Sequence, residues 1–287
     1  MIGIINVNKP KGITSFDVIR KLRKLLNEKK IGHTGTLDPL ATGVLVVCVG
    51  KATKLVSDIE AKEKVYRAEF ELGYATDTYD TEGKIIKKVD NFEIKKEKLE
   101  KVLSEFVGEQ LQVPPMYSAI KINGKKLYEL ARQNIEVERE ARKIKIDYIK
   151  LLKFEDKKVM IETKVSKGTY IRTLIYDIGE KLGCYGTMTE LQRSSVGEYL
   201  VENSFTLSKI EDMALYNDFG FVVDVEEAFS EFENLTLENE TELKLFKNGN
   251  TVVKEDWNNN KYRVYFEDKF IGLGRIIDFR LKGYKYF

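Results

Sequence analysis

The amino-acid sequence predicts an α+β protein with one large and one small domain. Residues 64–72 alternate apolar and polar side chains, as half-buried strands do, whereas residues 94–107 repeat apolar side chains at helical spacing. The chain has 287 residues, enough for a large domain and a smaller one. This pattern permits a mixed sheet flanked by helices but does not specify one.

Composition excludes several classes of protein. Hydrophobic residues make up 43% of the chain and charged residues 33%, as in globular proteins. No apolar run approaches the roughly 20 residues that span a bilayer, and residues 1–8 lack a signal-peptide arrangement. Cys48 and Cys184 form no CxxC pair, which excludes a cysteine-rich zinc site and fits a reducing compartment. We therefore expect a cytoplasmic protein without membrane contact, and the lack of metal-ligand clusters predicts that it holds no metal.

Charge is unevenly distributed along the chain, although the net charge is only +2. One basic cluster comprises Arg20, Lys21, Arg23, Lys24, Lys29 and Lys30, and a second lies within residues 261–285. Among the charged residues of segment 202–242, acidic ones predominate and Lys209 is the lone basic one. A polyanion would be attracted to the two basic clusters, although a solvated helix face would also explain each of them.

The N-terminal segment reads as a strand, a turn and a helix. Residues 3–7 are apolar, and Pro and Gly punctuate the turn at residues 8–12. Thr14 precedes Asp17 by three positions, which is the spacing of a capping box. Apolar residues recur at helical spacing from Val18 to Leu26, so one helix face is expected to be buried.

A loop with unusual composition occupies residues 32–43. It holds three glycines, three threonines, Asp38, Pro39 and the only histidine of the chain, His33. The apolar run at residues 44–49 follows directly and predicts a buried strand. We expect an irregular loop of defined shape on a rigid scaffold, where functional residues concentrate. Gly50-Lys51-Ala52-Thr53 lacks the spacing of a phosphate-binding loop.

The remaining elements follow from the same rules. Residues 73–83 are polar and rich in turn formers, so Asp77 and Asp80 are expected to be ordinary loop carboxylates. Strands are expected at residues 144–152 and 157–165. Thr169 is a candidate N-cap for the following helix, and Gly183 is its expected end.

Six segments together resemble the TruB-type pseudouridine synthases. The closest resemblance is GHTGTLDPLATGVL at residues 32–45, which is similar to the catalytic motif of that family. The other matching segments are NKPKGITS from Asn8, KVYRAEFELG from Lys64, PPMYSAIKINGKKLYELAR from Pro114, and SKGTYIRTL from Ser166. Leu191 to Gly197 is also similar to the family's Leu-x-Arg-x-x-x-Gly segment, and the resemblance weakens beyond about residue 235.

The resemblance implies a fold, an activity and a partner. The fold would be the pseudouridine synthase catalytic fold at residues 1–230, a mixed and mainly antiparallel sheet flanked by helices. A small PUA-like β-barrel that binds RNA would follow at residues 235–287. The implied activity is isomerisation of uridine 55 in the T-psi-C loop of tRNA to pseudouridine. We expect a stand-alone, monomeric enzyme of the bacterial type, with no cofactor and no obligate protein partner.

The resemblance also implies site residues. Asp38 would be the nucleophile, a role that aspartate can fill at sugar carbons, and Arg172 could pair with it. Tyr170 would take part in proton transfer, although an ordinary phenol is a reluctant base. The residues implied to contact the RNA are Tyr66, which would stack on the target base, His33, Leu191, Lys9 and Lys121. The target uridine would have to flip out of its stacked loop.

Three other functions compete with this interpretation. A non-catalytic tRNA-binding protein would need the basic clusters but not the combination of Asp38, Tyr170 and Arg172. A glycoside hydrolase would need a second carboxylate about 5–10 Å from the first, and no local motif supplies one. A guide-dependent RNA pseudouridine synthase would depend on partner proteins.

Overall fold

The computed structural model describes residues 1–122, 124–133 and 135–287. Asn123, which belongs to the segment from Pro114, lies outside the described residues. Within them no helix is long and apolar enough to cross a membrane.

Strands dominate the described part of the chain. In chain order they are β1 (Gly3–Lys9), β2 (Ile31–His33), β3 (Thr42–Val49), β4 (Lys64–Leu72), β5 (Tyr74–Thr76), β6 (Ile85–Lys88), β7 (Gly108–Gln112), β8 (Lys121–Ile122), β9 (Lys125–Lys126), β10 (Arg142–Glu155), β11 (Lys158–Val165), β12 (Gly186–Val196), β13 (Tyr199–Leu200), β14 (Phe205–Thr206), β15 (Glu233–Leu237), β16 (Val252–Val253), β17 (Lys261–Phe266), β18 (Lys269–Ile277) and β19 (Arg280–Tyr286).

Helices connect these strands. The α-helices of the described residues are α1 (Ser15–Leu25), α2 (Val56–Glu60), α3 (Lys96–Glu105), α4 (Leu127–Ala131), α5 (Ile171–Leu182), α6 (Leu207–Leu215) and α7 (Glu240–Lys247). Short 3₁₀ turns cover Gly50–Leu55, Val201–Asn203 and Glu227–Phe229.

The large sheet is mixed and mainly antiparallel. Its strand order is β14-β1-β3-β12-β4-β11-β10-β7, with β2 paired to β3 and β13 paired to β12. Only the pairs β1–β14 and β3–β12 are parallel among those described for this sheet. The α+β fold with a mixed, mainly antiparallel sheet is therefore confirmed.

Helix α1 has the predicted start. The Thr14 hydroxyl accepts a hydrogen bond from the Asp17 backbone N–H, and the Asp17 carboxylate accepts one from the Thr14 backbone N–H, which completes the capping box. Val18, Ile19 and Leu22 are buried on one face of the helix. They join a hydrophobic cluster that also contains Leu37, Leu40 and residues of α5, so α1 is held against the sheet.

Strand β4 lies at the centre of the large sheet, between β11 and β12. Its alternation is as predicted, with Tyr66, Ala68, Phe70 and Leu72 all buried. A period of two places these four side chains on one face. Tyr66 is therefore held on the buried face of a central strand and does not lie in a loop.

Two local predictions were wrong. Thr169 does not cap α5: the helix begins at Ile171 with Tyr170 as the N-cap residue, and the Thr169 hydroxyl donates to the Ser166 carbonyl instead. The segment at residues 73–83 is not all loop, because β5 within it pairs with β6. The predicted end of α5 is confirmed, since Gly183 adopts a left-handed φ of 83° that closes the helix.

The C-terminal segment forms a separate, curled sheet of five strands in the order β15-β17-β18-β19-β16. Helix α7 packs on it through Phe246. The sheet contacts the large domain directly, since Lys285 Nζ lies 2.9 Å from Asp58 Oδ2 and Lys54 donates to the Tyr286 carbonyl at 2.9 Å. The small β-structure predicted after residue 235 is therefore present as a half-barrel.

Candidate active site

The loop between β2 and β3 is held by side chains and backbone from the N-terminal segment. The Ser15 hydroxyl donates to the Leu37 carbonyl at 3.0 Å and accepts from the Leu37 N–H at 2.8 Å. The Gly12 N–H donates to the Pro39 carbonyl at 2.8 Å. Both neighbours of Asp38 are therefore fixed, which sets the direction of its carboxylate.

A buried arginine lies beneath the same loop. Arg193 is only 2% exposed. Its guanidinium donates to the Val44 carbonyl at 2.7 Å and to the Gly35 carbonyl at 3.1 Å. Gly43 packs on the Arg193 backbone with a φ of 96°, and a Cβ there would lie 2.3 Å from the Arg193 carbonyl oxygen. Glycine is thus required where the loop enters β3.

Lys9 is also turned toward the loop. Its side chain is fully buried, and its ammonium donates to the carbonyls of Pro10, Ile13 and Pro39 at 2.8, 2.7 and 3.4 Å. Burial lowers the pKa of Lys9 to about 8. The observed contacts of Lys9 therefore support the loop, whereas its predicted contact with RNA stays a prediction.

Asp38 and Arg172 form an ion pair at the mouth of the site. Arg172 Nη2 lies 3.0 Å from Asp38 Oδ2. Arg172 is only 6% exposed, whereas the Asp38 side chain is 39% exposed. The carboxylate can therefore reach a bound substrate while its guanidinium partner is held inside the protein.

A second carboxylate completes the environment of Arg172. Asp80 Oδ2 accepts from Arg172 Nη1 at 3.2 Å, and Asp80 is only 3% exposed. Carbonyls of Thr78 and Tyr117 accept from the same guanidinium at 3.0 and 2.8 Å. The buried positive charge of Arg172 is therefore balanced by two carboxylates and fixed by four oxygen partners.

Asp80 corrects the sequence-based interpretation of this segment. The expectation of an ordinary loop carboxylate fits Asp77, which is exposed and accepts from the Lys84 N–H at 2.8 Å. It does not fit Asp80, whose Oδ1 accepts from the Thr78 hydroxyl at 2.6 Å while Oδ2 faces Arg172. A buried arginine that faces Asp38 needs further hydrogen-bond acceptors. That requirement was the signal from which the pairing of Asp80 with Arg172 could have been predicted.

Tyr170 stands at the corner where β11 leads into α5. Gln112, which sequence reasoning missed, holds its backbone from both sides: Oε1 accepts from the Tyr170 N–H at 2.8 Å and Nε2 donates to the Tyr170 carbonyl at 3.1 Å. Burial raises the pKa of the Tyr170 phenol. The phenol is therefore protonated near neutral pH, available as a hydrogen-bond donor.

The floor of the site is apolar. Tyr66 on β4 and Leu191 on β12 are each 8% exposed. Adjacent strands present them, since Leu191 pairs with Ala68, two positions from Tyr66 on the same face. Both residues belong to the hydrophobic cluster that contains Leu37 of the loop. The structure thus brings Tyr66 and Leu191 together beneath the loop of Asp38.

His33 and Lys121 lie at the edges of this arrangement. His33 ends β2, and its Nδ1 accepts from the Gly35 N–H at 3.3 Å. Burial, and then the charge of Arg193, lower the pKa of His33, so it is neutral near pH 7. Lys121 is exposed on β8, which pairs with β9, and among the described contacts none joins it to Asp38 or Arg172. The RNA-binding roles of both residues stay predictions.

The site offers nucleophilic and electrostatic chemistry. Among the described residues no group of three or more His, Cys, Asp or Glu side chains is placed to hold a metal ion. The groups gathered here are the accessible Asp38 carboxylate, the buried Arg172 guanidinium with its second carboxylate Asp80, the protonated Tyr170 phenol, and the apolar floor.

Comparisons with known proteins identify the family. Residues 23–171 match the N-terminal domain of TruB family pseudouridylate synthases, residues 172–228 the C-terminal domain of tRNA pseudouridylate synthase B, and residues 237–283 the C-terminal segment of pseudouridine synthase II TruB. The first match alone covers half of the chain.

Relatives and solved structures agree with these matches. The chain is 63% identical to tRNA pseudouridine synthase B of Fusobacterium nucleatum over the full length of both proteins. It is 49% identical to the enzyme of that name from Clostridium tetani, with 96% of each chain covered. A crystal structure of a Cbf5–Nop10–Gar1 complex superposes with a TM-score of 0.72 at 25% identity, covering 99% of this chain and 84% of that one. On this evidence the chain belongs to the TruB family of pseudouridine synthases.

Proposed function

We propose that this protein is a tRNA pseudouridine synthase that converts uridine 55 of the T-psi-C loop to pseudouridine. The observation that carries the proposal is the fixed, partly exposed Asp38 carboxylate, paired with Arg172 at 3.0 Å above an apolar floor. The names of the full-length relatives support tRNA as the substrate.

The reaction is an isomerisation that this set of groups can perform. The bond from the sugar C1′ to N1 of uracil breaks, the base rotates, and a bond from C1′ to C5 forms. N1 gains a proton and C5 loses one, so no oxidant or external group is consumed. A single carboxylate that attacks carbon and later leaves can bring about this exchange of bonds, and we assign that role to Asp38.

Arg172 acts as the positioning partner of the nucleophile. Its guanidinium holds one oxygen of Asp38 and leaves the rest of the half-exposed carboxylate free. Asp80 and the Thr78 and Tyr117 carbonyls fix the guanidinium, and the guanidinium in turn holds Asp38. The carboxylate is therefore oriented before the substrate binds.

We assign Tyr170 a part in proton transfer at the uracil ring. Its raised pKa makes it a proton donor or relay rather than a standing base at neutral pH. Tyr66 and Leu191 would stack on and enclose the flipped base, which has to leave its loop because the groups that react with it lie in the cleft.

The other assignments follow from this function. We assign catalysis to residues 1–230 and RNA binding to residues 235–287, and we expect a monomer that acts on tRNA in the cytoplasm. The full-length relatives are named as tRNA pseudouridine synthases, and with the resemblance to the bacterial type this supports a chain that works without a guide RNA or partner protein. His33, Lys9 and Lys121 remain assigned to RNA binding.

The proposal is tested with an unmodified tRNA transcript and the purified protein alone. The expected product is one pseudouridine at position 55, located by mass spectrometry of nuclease fragments. A transcript with cytidine at position 55 serves as the control and should stay unmodified. Pseudouridine elsewhere would contradict the site, and no pseudouridine at all would contradict the enzymatic function.

A further inference from the structure

Positive charge is concentrated in one short segment beside the candidate active site. Residues 11–30 contain seven Lys and Arg residues and only two acidic ones, a net charge of +5. The whole chain has a net charge of +2, so the rest of the chain is net negative. Helix α1 occupies residues 15–25 of this segment. An anionic ligand would therefore be drawn to this helix in preference to most of the molecule.

An aromatic side chain stands on the same exposed surface. Phe16 is 59% exposed, although it belongs to a helix whose apolar residues are otherwise packed inward. Arg20 and Arg23 follow it by four and seven positions and therefore share its face. The Arg23 guanidinium lies 5.8 Å from the centroid of the Phe16 ring. We call Phe16, Arg20, Arg23 and Lys24 the α1 basic face.

This face borders the catalytic loop. Ser15, next to Phe16, holds the backbone of Leu37, which itself precedes Asp38. The buried side of α1 belongs to the same hydrophobic cluster as Tyr66 and Leu191. Helix α1 therefore lies on the sheet face that carries the site, and the exposed Phe16 is the chain neighbour of the residue that holds the Asp38 loop.

Two cations of the α1 basic face are not neutralised within the protein. Arg20 pairs with Asp17, whereas the described residues place no carboxylate within 4 Å of Arg23 or Lys24. Arg23 donates only to the Ile31 carbonyl, at 3.3 Å, and Lys24 is exposed. Both charges can therefore interact with phosphate oxygens without breaking an ion pair.

We propose that the α1 basic face is a second contact surface for the substrate RNA, outside the pocket of the target nucleotide. Phe16 stacks on an unpaired base of the loop, and Arg23 and Lys24 contact phosphates of the adjoining strand. The combination of an aromatic platform with flanking cations is how proteins bind non-helical nucleic acid. The inference rests on the proposed function, because it takes the substrate to be a looped RNA.

The test measures binding of a labelled T-psi-C stem-loop to Asp38→Asn protein, in which turnover is blocked. Adding Phe16→Ala should weaken binding about five-fold or more, with little change in its salt dependence. Adding Arg23→Ala and Lys24→Ala together should lower the slope of log K against log salt by about 1 to 2. A matched control pair, Lys101→Ala and Lys158→Ala, removes one exposed cation on α3 and one on β11, for which the described residues likewise provide no ion pair, and should change neither quantity.

Three outcomes would overturn the inference. The α1 variants could bind like the control pair, or Phe16→Ala could lower the melting temperature rather than the affinity. Polyglutamate of equal charge could also compete as well as the stem-loop, which would favour an acidic protein partner. Turnover by the wild type with unaffected binding by the α1 variants would refute this inference alone. Absent turnover with α1-dependent binding would refute the proposed function alone.

Discussion

Asp80 is the residue whose replacement tests the geometry of the site most sharply. In the variant Asp80→Asn the side chain keeps its shape, and its carbonyl oxygen can still accept a hydrogen bond. The change removes one of the two negative charges beside the buried guanidinium of Arg172, which lies 3.2 Å away. Among the described residues, Asp38 is then the one carboxylate left on Arg172. The guanidinium is expected to shift toward it and to cover the oxygen that should attack.

The size of the effect follows from the hydrogen bond that is weakened. A hydrogen bond to a charged group contributes about 1.5–3 kcal/mol and a neutral one about 0.5–1.5 kcal/mol. The loss is therefore about 1–2 kcal/mol, which corresponds to a decrease in kcat of about 5- to 30-fold. KM should change less than about two-fold, because Asp80 is buried and its side chain is not exposed to a bound substrate.

The assay is steady-state pseudouridine formation, with the melting temperature measured alongside to exclude misfolding. Asp77→Asn is the matched control, since Asp77 lies on the same loop but is exposed and bonds only the Lys84 backbone among the contacts described. The reasoning would be refuted by unchanged kcat in Asp80→Asn, or by an equal loss of kcat in Asp77→Asn.

Three further predictions concern the surroundings of the loop. Gly43→Ala should lower the free energy of unfolding by about 2 kcal/mol or more in denaturant titrations, because its Cβ would clash with the Arg193 backbone; wild-type stability would contradict this. Burial lowers the pKa of Lys9 from 10.5 to about 8, so the unfolded chain binds more protons between pH 8 and 10 and stability should rise over that range. In Lys9→Met the free energy of unfolding should rise less over this pH range, and the rise that is left should come from Lys64, whose pKa is also about 8. An identical rise in the wild type and in Lys9→Met would count against this. Tyr170→Phe should bind the stem-loop within about two-fold of wild type yet lose at least about ten-fold in kcat, and full activity would remove Tyr170 from proton transfer.

Local sequence signals were sufficient where one element decides its own structure. The capping box of Thr14 and Asp17, the alternation of β4 and the glycine that ends α5 were all predicted correctly. Each depends on residues within a few positions of one another, so periodicity and capping rules apply directly. The Asp38 loop was likewise visible from its glycines and the apolar strand after it.

The missed features all depend on partners that are distant in sequence. Asp80 is buried because Arg172, 92 positions away, needs a second carboxylate. Gln112 holds Tyr170 across 58 positions. Thr169 has the right residue type for a helix cap, but its hydroxyl donates to the Ser166 carbonyl instead. Residue type alone cannot decide between competing partners that only the folded chain brings together.

The most direct measurement of the central claim is tritium release from carbon 5 of labelled uridine in a T-psi-C stem-loop. It is made with wild-type protein and with Asp38→Asn, without added metal or cofactor. We predict release by the wild type alone, while both proteins bind the stem-loop with similar affinity. Release by Asp38→Asn at the wild-type rate would show that Asp38 is not the nucleophile. Binding without release by either protein would contradict the enzymatic function itself.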